Sequence, residues 1–280
     1  MSCDLKLEYL LRDRPYDPAV APADYDMLCV KSGGAELYGE ILWPDGGFQG
    51  PRPCVLLCHG YPGVARNDDL AAALRRIGCV VAVMHHRGAW GSQGKYLVSN
   101  CVEDVAALAV YMRSPAFCEA YHTDPDALFL IGHSMGGSNV LQAARCTQGL
   151  RGLMLLTPYD PTAYLCQGRE EDLMPLLETG RILHSDGLDA ILQDMRVHVE
   201  EYPFAKAFPA VKDQNLLFIT GTLDTIAPAW MVTPLWEHLA AHPTSAVQRL
   251  VELPAAHGLC GCRIAAIEAV AAFMDDVLTG

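Results

Sequence analysis

The stretch Leu128-Phe129-Leu130-Ile131-Gly132-His133-Ser134-Met135-Gly136-Gly137 joins a short apolar run to a series of small residues, with one serine set between glycines at 132 and 136. The run reads as a strand, and Val140, Leu141 and Ala144 fall on one side of a helix that starts after Ser134. A G-x-S-x-G in a strand-to-helix turn holds its serine in a strained backbone conformation and projects the hydroxyl from the carboxyl end of a sheet. Side chains at 132 and 136 would clash in such a turn, so both positions call for glycine. The Met135 amide would then lie at a helix N-terminus, where developing negative charge is stabilised. The chemistry that this pattern suggests is nucleophilic attack by Ser134, given a base to take its proton and amides to hold an oxyanion. The alternative is a chance G-x-S-x-G of purely structural use, so the reading depends on whether the other parts are present.

The elements that would position such parts can be read in order. Residues 1–25, with Pro15, Pro18 and Pro22, form an irregular arm, and Met27–Val30 and Glu36–Trp43 form a hairpin. Cys54–Cys58 is a continuous apolar run, as expected of a strand buried on both faces, and His59-Gly60-Tyr61-Pro62-Gly63 follows it directly. Leu70, Ala73, Leu74 and Ile77 mark a helix capped by Asn67 or Asp68 and stopped by Gly78. Cys79–Met84 is the next strand, and the glycine-rich loop 85–94 comes after it. Asn100, with Glu103 three residues on, caps a helix whose stripe is Val105, Leu108, Ala109 and Met112. The strand that carries Ser134 and another at Gly152–Thr157 continue the alternation, which is that of a mostly parallel sheet with helices on both faces, an α/β fold.

From Pro158 to Lys212 the rhythm breaks into helical pieces, Glu170–Leu183 and Gly187–Glu200. We read 158–212 as a helical cap inserted over the carboxyl ends of the strands, between core segments 1–157 and 213–280; an elaborated crossover is the alternative. Asn215–Gly221 resumes the sheet. A helix over Ala229–Ala241, a strand at Val247–Leu253 and a closing helix with Ile264, Ile267, Val270, Ala271 and Met274 on one side complete it.

Taken together, the Ser134 turn, the His59-Gly60-Tyr61 stretch and the polar residues beyond the later strands resemble the α/β-hydrolase family. The resemblance covers about residues 26–278 outside the inserted segment. It implies that Asp224, just past one strand, is the acid and that His257, in the loop after the last strand, is the base. Ser134, Asp224 and His257 stand in the chain order of that family. It also implies that the Tyr61 amide joins that of Met135 in an oxyanion hole. In this reading His257 takes the Ser134 proton and returns it to the leaving group, while Asp224 orients and stabilises the imidazolium. Asp213 is a rival acid; His238 and His242 also follow Asp224 but fall in or beside a helix. The family's loop after the fourth strand shapes its site, so Trp90 here, with Tyr159 and Tyr164 of the inserted segment, suggests an enclosed, partly aromatic substrate pocket.

The expected activity is cofactor-free hydrolysis of carboxylic esters of small or aromatic acids through an acyl-enzyme. The alternatives are a serine peptidase or amidase of prolyl-oligopeptidase type, an acyltransferase, and a non-catalytic binding protein of the same fold. Serine at the nucleophile position excludes the dehalogenase branch, which uses aspartate there. The 280 residues carry a formal charge of −13, which argues against nucleic acid or an anionic membrane as partner. The expected partner is a small-molecule ester substrate, and the oligomeric state stays open, a homodimer included. Eleven cysteines at scattered spacings read as reduced thiols; Cys260-Gly261-Cys262 lacks the spacing of a zinc or redox pair, and His85-His86 has no ligand partner at metal spacing. No basic and apolar leader opens the chain and no run approaches about 18 apolar residues, so the expected location is the cytoplasm.

Overall fold

The apolar runs of the sequence become strands of one sheet, because a run apolar on both alternations is stable only where both faces are covered. The computed structural model describes residues 3–280. Its strands are β1 (Asp24–Ser32), β2 (Ala35–Trp43), β3 (Arg52–Cys58), β4 (Val80–Met84), β5 (Thr123–His133), β6 (Gly152–Leu156), β7 (Leu216–Gly221) and β8 (Gln248–Leu253). They pair in the order β1-β2-β4-β3-β5-β6-β7-β8. The β1–β2 and β2–β4 pairs are antiparallel, and all others are parallel. The helices are α1 (Asp68–Arg76), α2 (Val98–Met112), α3 (Pro115–Tyr121), α4 (Met135–Ala143), α5 (Ala163–Cys166), α6 (Met174–Glu178), α7 (Leu188–Val197), α8 (Phe208–Val211), α9 (Thr233–Ala241) and α10 (Arg263–Thr279).

Strand alternation divides the core. Val55, Leu57, Phe129 and Ile131 face α1 and α10 through Leu70, Leu74, Val270 and Phe273. Leu56, Leu128, Leu130 and Leu155 face the other way, onto Val105, Leu108, Val140, Leu141, Leu235 and Leu239 of α2, α4 and α9. The parallel crossovers leave the carboxyl ends of β3, β5, β7 and β8 on one edge of the sheet, where residues distant in sequence can meet.

Several local expectations shift. The hairpin strand β1 is longer than 27–30, because the turn Gly33-Gly34 registers all of 24–32 against β2. Helix α2 starts at Val98, not after Asn100. Its first turn is capped from outside: the Asp194 carboxylate of α7 accepts the Ser99 amide at 2.9 Å and the Ser99 hydroxyl at 2.6 Å. Asn100 instead donates to the Lys95 carbonyl, and Glu103 pairs with Arg87. Asn67 precedes α1 in a left-handed conformation and makes no side-chain cap. Helix α3 was not expected, although Ser114 caps it by accepting the Phe117 amide and Pro115 opens it. The expected helix over 170–183 is broken: 3₁₀ turns at Glu170–Asp172 and Thr179–Ile182 flank the short α6. Residues 229–241 divide into a 3₁₀ turn and α9, with Pro234 in the first turn of α9.

The segment between β6 and β7 has its own apolar cluster. Leu173, Leu177, Leu183, Ile191, Leu192 and Met195 pack with Tyr61, Tyr96 and Met135, residues near the ends of β3 to β5. This segment therefore lies on the carboxyl edge of the sheet.

Candidate active site

Ser134 ends the β5-to-α4 turn at φ 57° and ψ −126°, a conformation that an L-residue keeps only where the surroundings enforce it. The enforcing contacts are backbone. A Cβ on Gly132 would overlap the Gly136 carbonyl oxygen, and one on Gly136 would stand 2.5 Å from the carbonyl oxygens of both Cys58 and His59. The Ser134 amide donates to Leu156 O of β6, and its carbonyl accepts from Gly137 and Tyr159. The turn is thus tied to β3, β6 and the segment after β6. Ser134 is 4% exposed.

His257 reaches Ser134 from the loop after β8. Its Nε2 lies 2.8 Å from Ser134 Oγ, and its Nδ1 lies 2.8 Å from Asp224 Oδ2. The loop is held by the Thr157 hydroxyl, which donates to the His257 carbonyl at 2.9 Å. Asp224 comes just after β7. Its Oδ1 accepts the amides of Ile226 and Ala227, each at 2.9 Å. Burial would raise the carboxyl's pKa, but the hydrogen bonds from His257 and the two amides outweigh it and hold Asp224 below the usual carboxylate range. Asp224 therefore stays ionised beside His257. The rival Asp213 is exposed and pairs with Lys212 at 3.0 Å; it does not approach His257.

The loop after β3 lies against the serine: a Cβ on Gly60 would stand 2.7 Å from Ser134 Cβ. The Tyr61 and Met135 amides donate to no acceptor among the described residues, so both are free for a ligand oxygen. Beneath this loop, His59 donates from Nδ1 to Gly60 O at 2.7 Å and accepts the His86 amide at Nε2. Burial brings the pKa of His59 down to about 4 and holds His86 well below its ordinary value. Both rings are neutral supports of the loop at neutral pH. His133, buried against the His257 carbonyl at 3.2 Å, is likewise brought down to about 4, first by burial and then by His257.

A cavity of about 230 Å³ opens beside Ser134 and His257. Its apolar wall is Tyr61, Pro62, Val64, Ala65, Leu176 and Ile226, with Thr179 alongside. The expected aromatic contacts are not part of it. Tyr159 is 2% exposed and packs in the cluster beneath the inserted segment, tied through its amide to Ser134 O. Tyr164 packs edge-on to Trp230 with the Arg169 guanidinium over its ring. Trp90 is 47% exposed and buttresses the Tyr61 loop from outside by donating to Pro62 O at 3.1 Å. The apolar lining is not legible in the sequence because the cavity is assembled from five separate stretches, 60–65, 133–134, 176–179, 226 and 257. Of these residues the sequence points to Ser134 and His257 for their side chains and to Tyr61 for its amide, but to none of the apolar wall. A second cleft of about 210 Å³, lined by residues such as Arg14, Asp45 and Arg76, contains no serine, cysteine or histidine side chain.

Among the described residues, no group of three or more His, Cys, Asp or Glu side chains is arranged to hold a metal ion, and no helix is long and apolar enough to cross a membrane. All eleven cysteines are free thiols.

Sheet order, parallel crossovers and the strand-turn-helix at Ser134 define an α/β-hydrolase fold. Solved structures agree. Brefeldin A esterase, described as a bacterial homologue of human hormone-sensitive lipase, is similar at 16% identity and a TM-score of 0.68, covering 100% of this chain and 88% of its own. Est1E from Butyrivibrio proteoclasticus, solved with ferulic acid, is similar at 19% identity and a TM-score of 0.67, covering 90% of this chain and 100% of its own. Puromycin hydrolase is similar at 20% identity and a TM-score of 0.66; 95% of this chain covers 41% of that one. The chain has the α/β-hydrolase fold, and residues 49–164 match the family model described as serine aminopeptidase, S33. No curated protein shows a significant match to it.

Proposed function

We propose that this chain is a serine hydrolase that cleaves carboxylic esters of small or aromatic acids through an acyl-enzyme. The observation that carries the reading is the hydrogen-bonded chain Ser134–His257–Asp224, with 2.8 Å at each link, at the edge of an apolar cavity. His257 removes the Ser134 proton as Oγ attacks the ester carbonyl, then protonates the departing alkoxide. Asp224 fixes the Nδ1–H tautomer and offsets the imidazolium charge. The Tyr61 and Met135 amides receive the tetrahedral oxyanion. Water, activated by the same histidine, releases the acid. Residues 158–212 act as a cap that closes this cavity.

Peptide or amide hydrolysis is the second reading, supported by the serine aminopeptidase match over residues 49–164. The cavity lining favours esters: Pro62, Val64, Ala65, Leu176 and Ile226 offer no charge to hold a peptide's ammonium terminus. The size of the cavity, about 230 Å³, favours short acyl chains or a single aromatic ring over long ones.

The test is a turnover panel of p-nitrophenyl esters from acetate to palmitate, an aromatic ester and a prolyl p-nitroanilide, with fluorophosphonate labelling alongside. Turnover of the short and aromatic esters, with labelling that disappears in Ser134→Ala, is the expected result. Turnover of the anilide alone would establish the peptidase reading, and a folded protein that takes no label would overturn the enzyme reading.

A further inference from the structure

The side chains of the two residues proposed to hold the oxyanion are joined to each other and to the inserted segment. The Tyr61 hydroxyl donates to the Leu177 carbonyl in the last turn of α6 at 2.7 Å. The Tyr61 ring, 7% exposed, meets Tyr96 edge-on with centroids 5.5 Å apart. Tyr96 is fully buried, and its hydroxyl lies 3.8 Å from Met135 Sδ. The Tyr96 amide donates to His184 O, and the His184 amide returns to Gly88 O, so the backbone that carries this ring is anchored to the segment as well. The contact is tight from the far side as well: a Cβ on Gly180 would overlap the Tyr61 hydroxyl.

We infer that Tyr61 and Tyr96 are positioning residues that couple closure of the 158–212 segment to the geometry of the oxyanion hole. With α6 seated, the Tyr61 hydroxyl draws its own backbone amide into place against Ser134, and Tyr96 keeps the Met135 side of the hole in register with it. An amide displaced by a fraction of an ångström loses its oxyanion bond, which forms fully only in the transition state, while Pro62, Val64, Ala65 and Ile226, most of the apolar wall that binds the ground state, lie outside the brace. The brace therefore acts on kcat more than on KM. This inference rests on the serine-hydrolase reading above and on the assignment of the Tyr61 and Met135 amides to the oxyanion.

The experiment compares wild type, Tyr61→Phe, Gly180→Ala, Ser99→Ala and Ser134→Ala. It measures kcat and KM on p-nitrophenyl acetate, inhibition by an aryl trifluoromethyl ketone, which adds serine to form an oxyanion, and the near-ultraviolet circular dichroism of each variant. Tyr61→Phe removes one buried hydrogen bond, and its expected effect is a kcat lower by about tenfold, inhibitor affinity weakened by a similar factor, and KM within about twofold of wild type. Gly180→Ala disturbs the same contact from the other side and should move the three quantities in the same directions. Ser99→Ala removes the hydroxyl half of a different tie to the segment, the one to Asp194, whose bond from the Ser99 amide remains, and should leave all three within about twofold. Unchanged kcat in natively folded Tyr61→Phe and Gly180→Ala would overturn the inference. So would a kcat loss without weaker inhibition, or an equal loss in Ser99→Ala, which would mean that any loosening of the segment has the same effect. Hydrolysis retained in Ser134→Ala would refute the serine reading itself, and the brace with it.

Discussion

Replacing Asp224 with Asn should remove nearly all turnover while leaving the fold in place, and the structure dictates why. Oδ1 of Asp224 accepts two backbone amides, from Ile226 and Ala227, both at 2.9 Å. In Asp224→Asn the amide oxygen must keep that position, because the reverse orientation would set its NH₂ against two N–H donors and forfeit both hydrogen bonds, at a cost of about 1–3 kcal/mol for each buried group left unpaired. The NH₂ is then aimed at His257 Nδ1, now 2.8 Å from Oδ2, and forces Nδ1 to accept. The imidazole must carry its proton on Nε2, the atom 2.8 Å from Ser134 Oγ, and so cannot take the serine proton. The same inversion in chymotrypsin-type triads lowers kcat by about 10⁴, which corresponds to ~5.5 kcal/mol of transition-state stabilisation. The assay is p-nitrophenyl acetate hydrolysis between pH 5 and 9, with melting temperature as the control for folding and Asp213→Ala as the control for position. Asp213→Ala should behave as wild type, since that carboxylate is exposed and pairs with Lys212. A folded Asp224→Asn variant within tenfold of wild type would refute the tautomer argument. Loss of activity in Asp213→Ala instead would move the acid role to that residue.

Two further outcomes follow from the same region. His59 and His133 are held neutral by burial down to about pH 4, whereas in the unfolded chain each takes a proton near its ordinary value of 6.5. Between these two pH values the unfolded state binds the protons that the folded state refuses, so stability rises with pH through the window and levels off above it. Each histidine contributes on the order of 1.4 kcal/mol per pH unit there; urea titrations at pH 7, 6 and 5 should show the midpoint falling with pH, and His133→Asn should flatten the slope, whereas a midpoint independent of pH would contradict the burial argument. Gly136→Ala forces a Cβ to 2.5 Å from two backbone carbonyl oxygens that cannot move without displacing β3. Its expected cost is about 2 kcal/mol or more of stability together with loss of fluorophosphonate labelling, and a stable, fully labelled variant would show that the turn has room.

The parallel sheet was legible in the sequence because its signals are local. Cys54–Cys58 and Leu128–Ile131 are apolar on both alternations, so each must be a strand covered on both faces whatever its neighbours. The turn at Ser134 was equally legible, since only glycine fits at 132 and 136 beside so close a backbone crossing. The order of Ser134, Asp224 and His257, each beyond a strand, could also be read along the chain, and the crossovers place all three on one edge. Short elements gave no such signal. Helices α5, α6 and α8 have four or five residues each, too few for a 3.6-residue period to register, and they hold their shape through packing. The start of α2 moved because its cap is Asp194, a residue far along the chain, rather than Asn100 nearby. The cavity was decided by tertiary structure alone. Val64, Leu176 and Ile226 share no periodicity and meet only once β3, the inserted segment and β7 are in place, whereas Trp90, Tyr159 and Tyr164, prominent as aromatics, were drawn into buttressing and packing. What a residue can do chemically is written in its type, but whether it faces a substrate depends on which distant surfaces close around it.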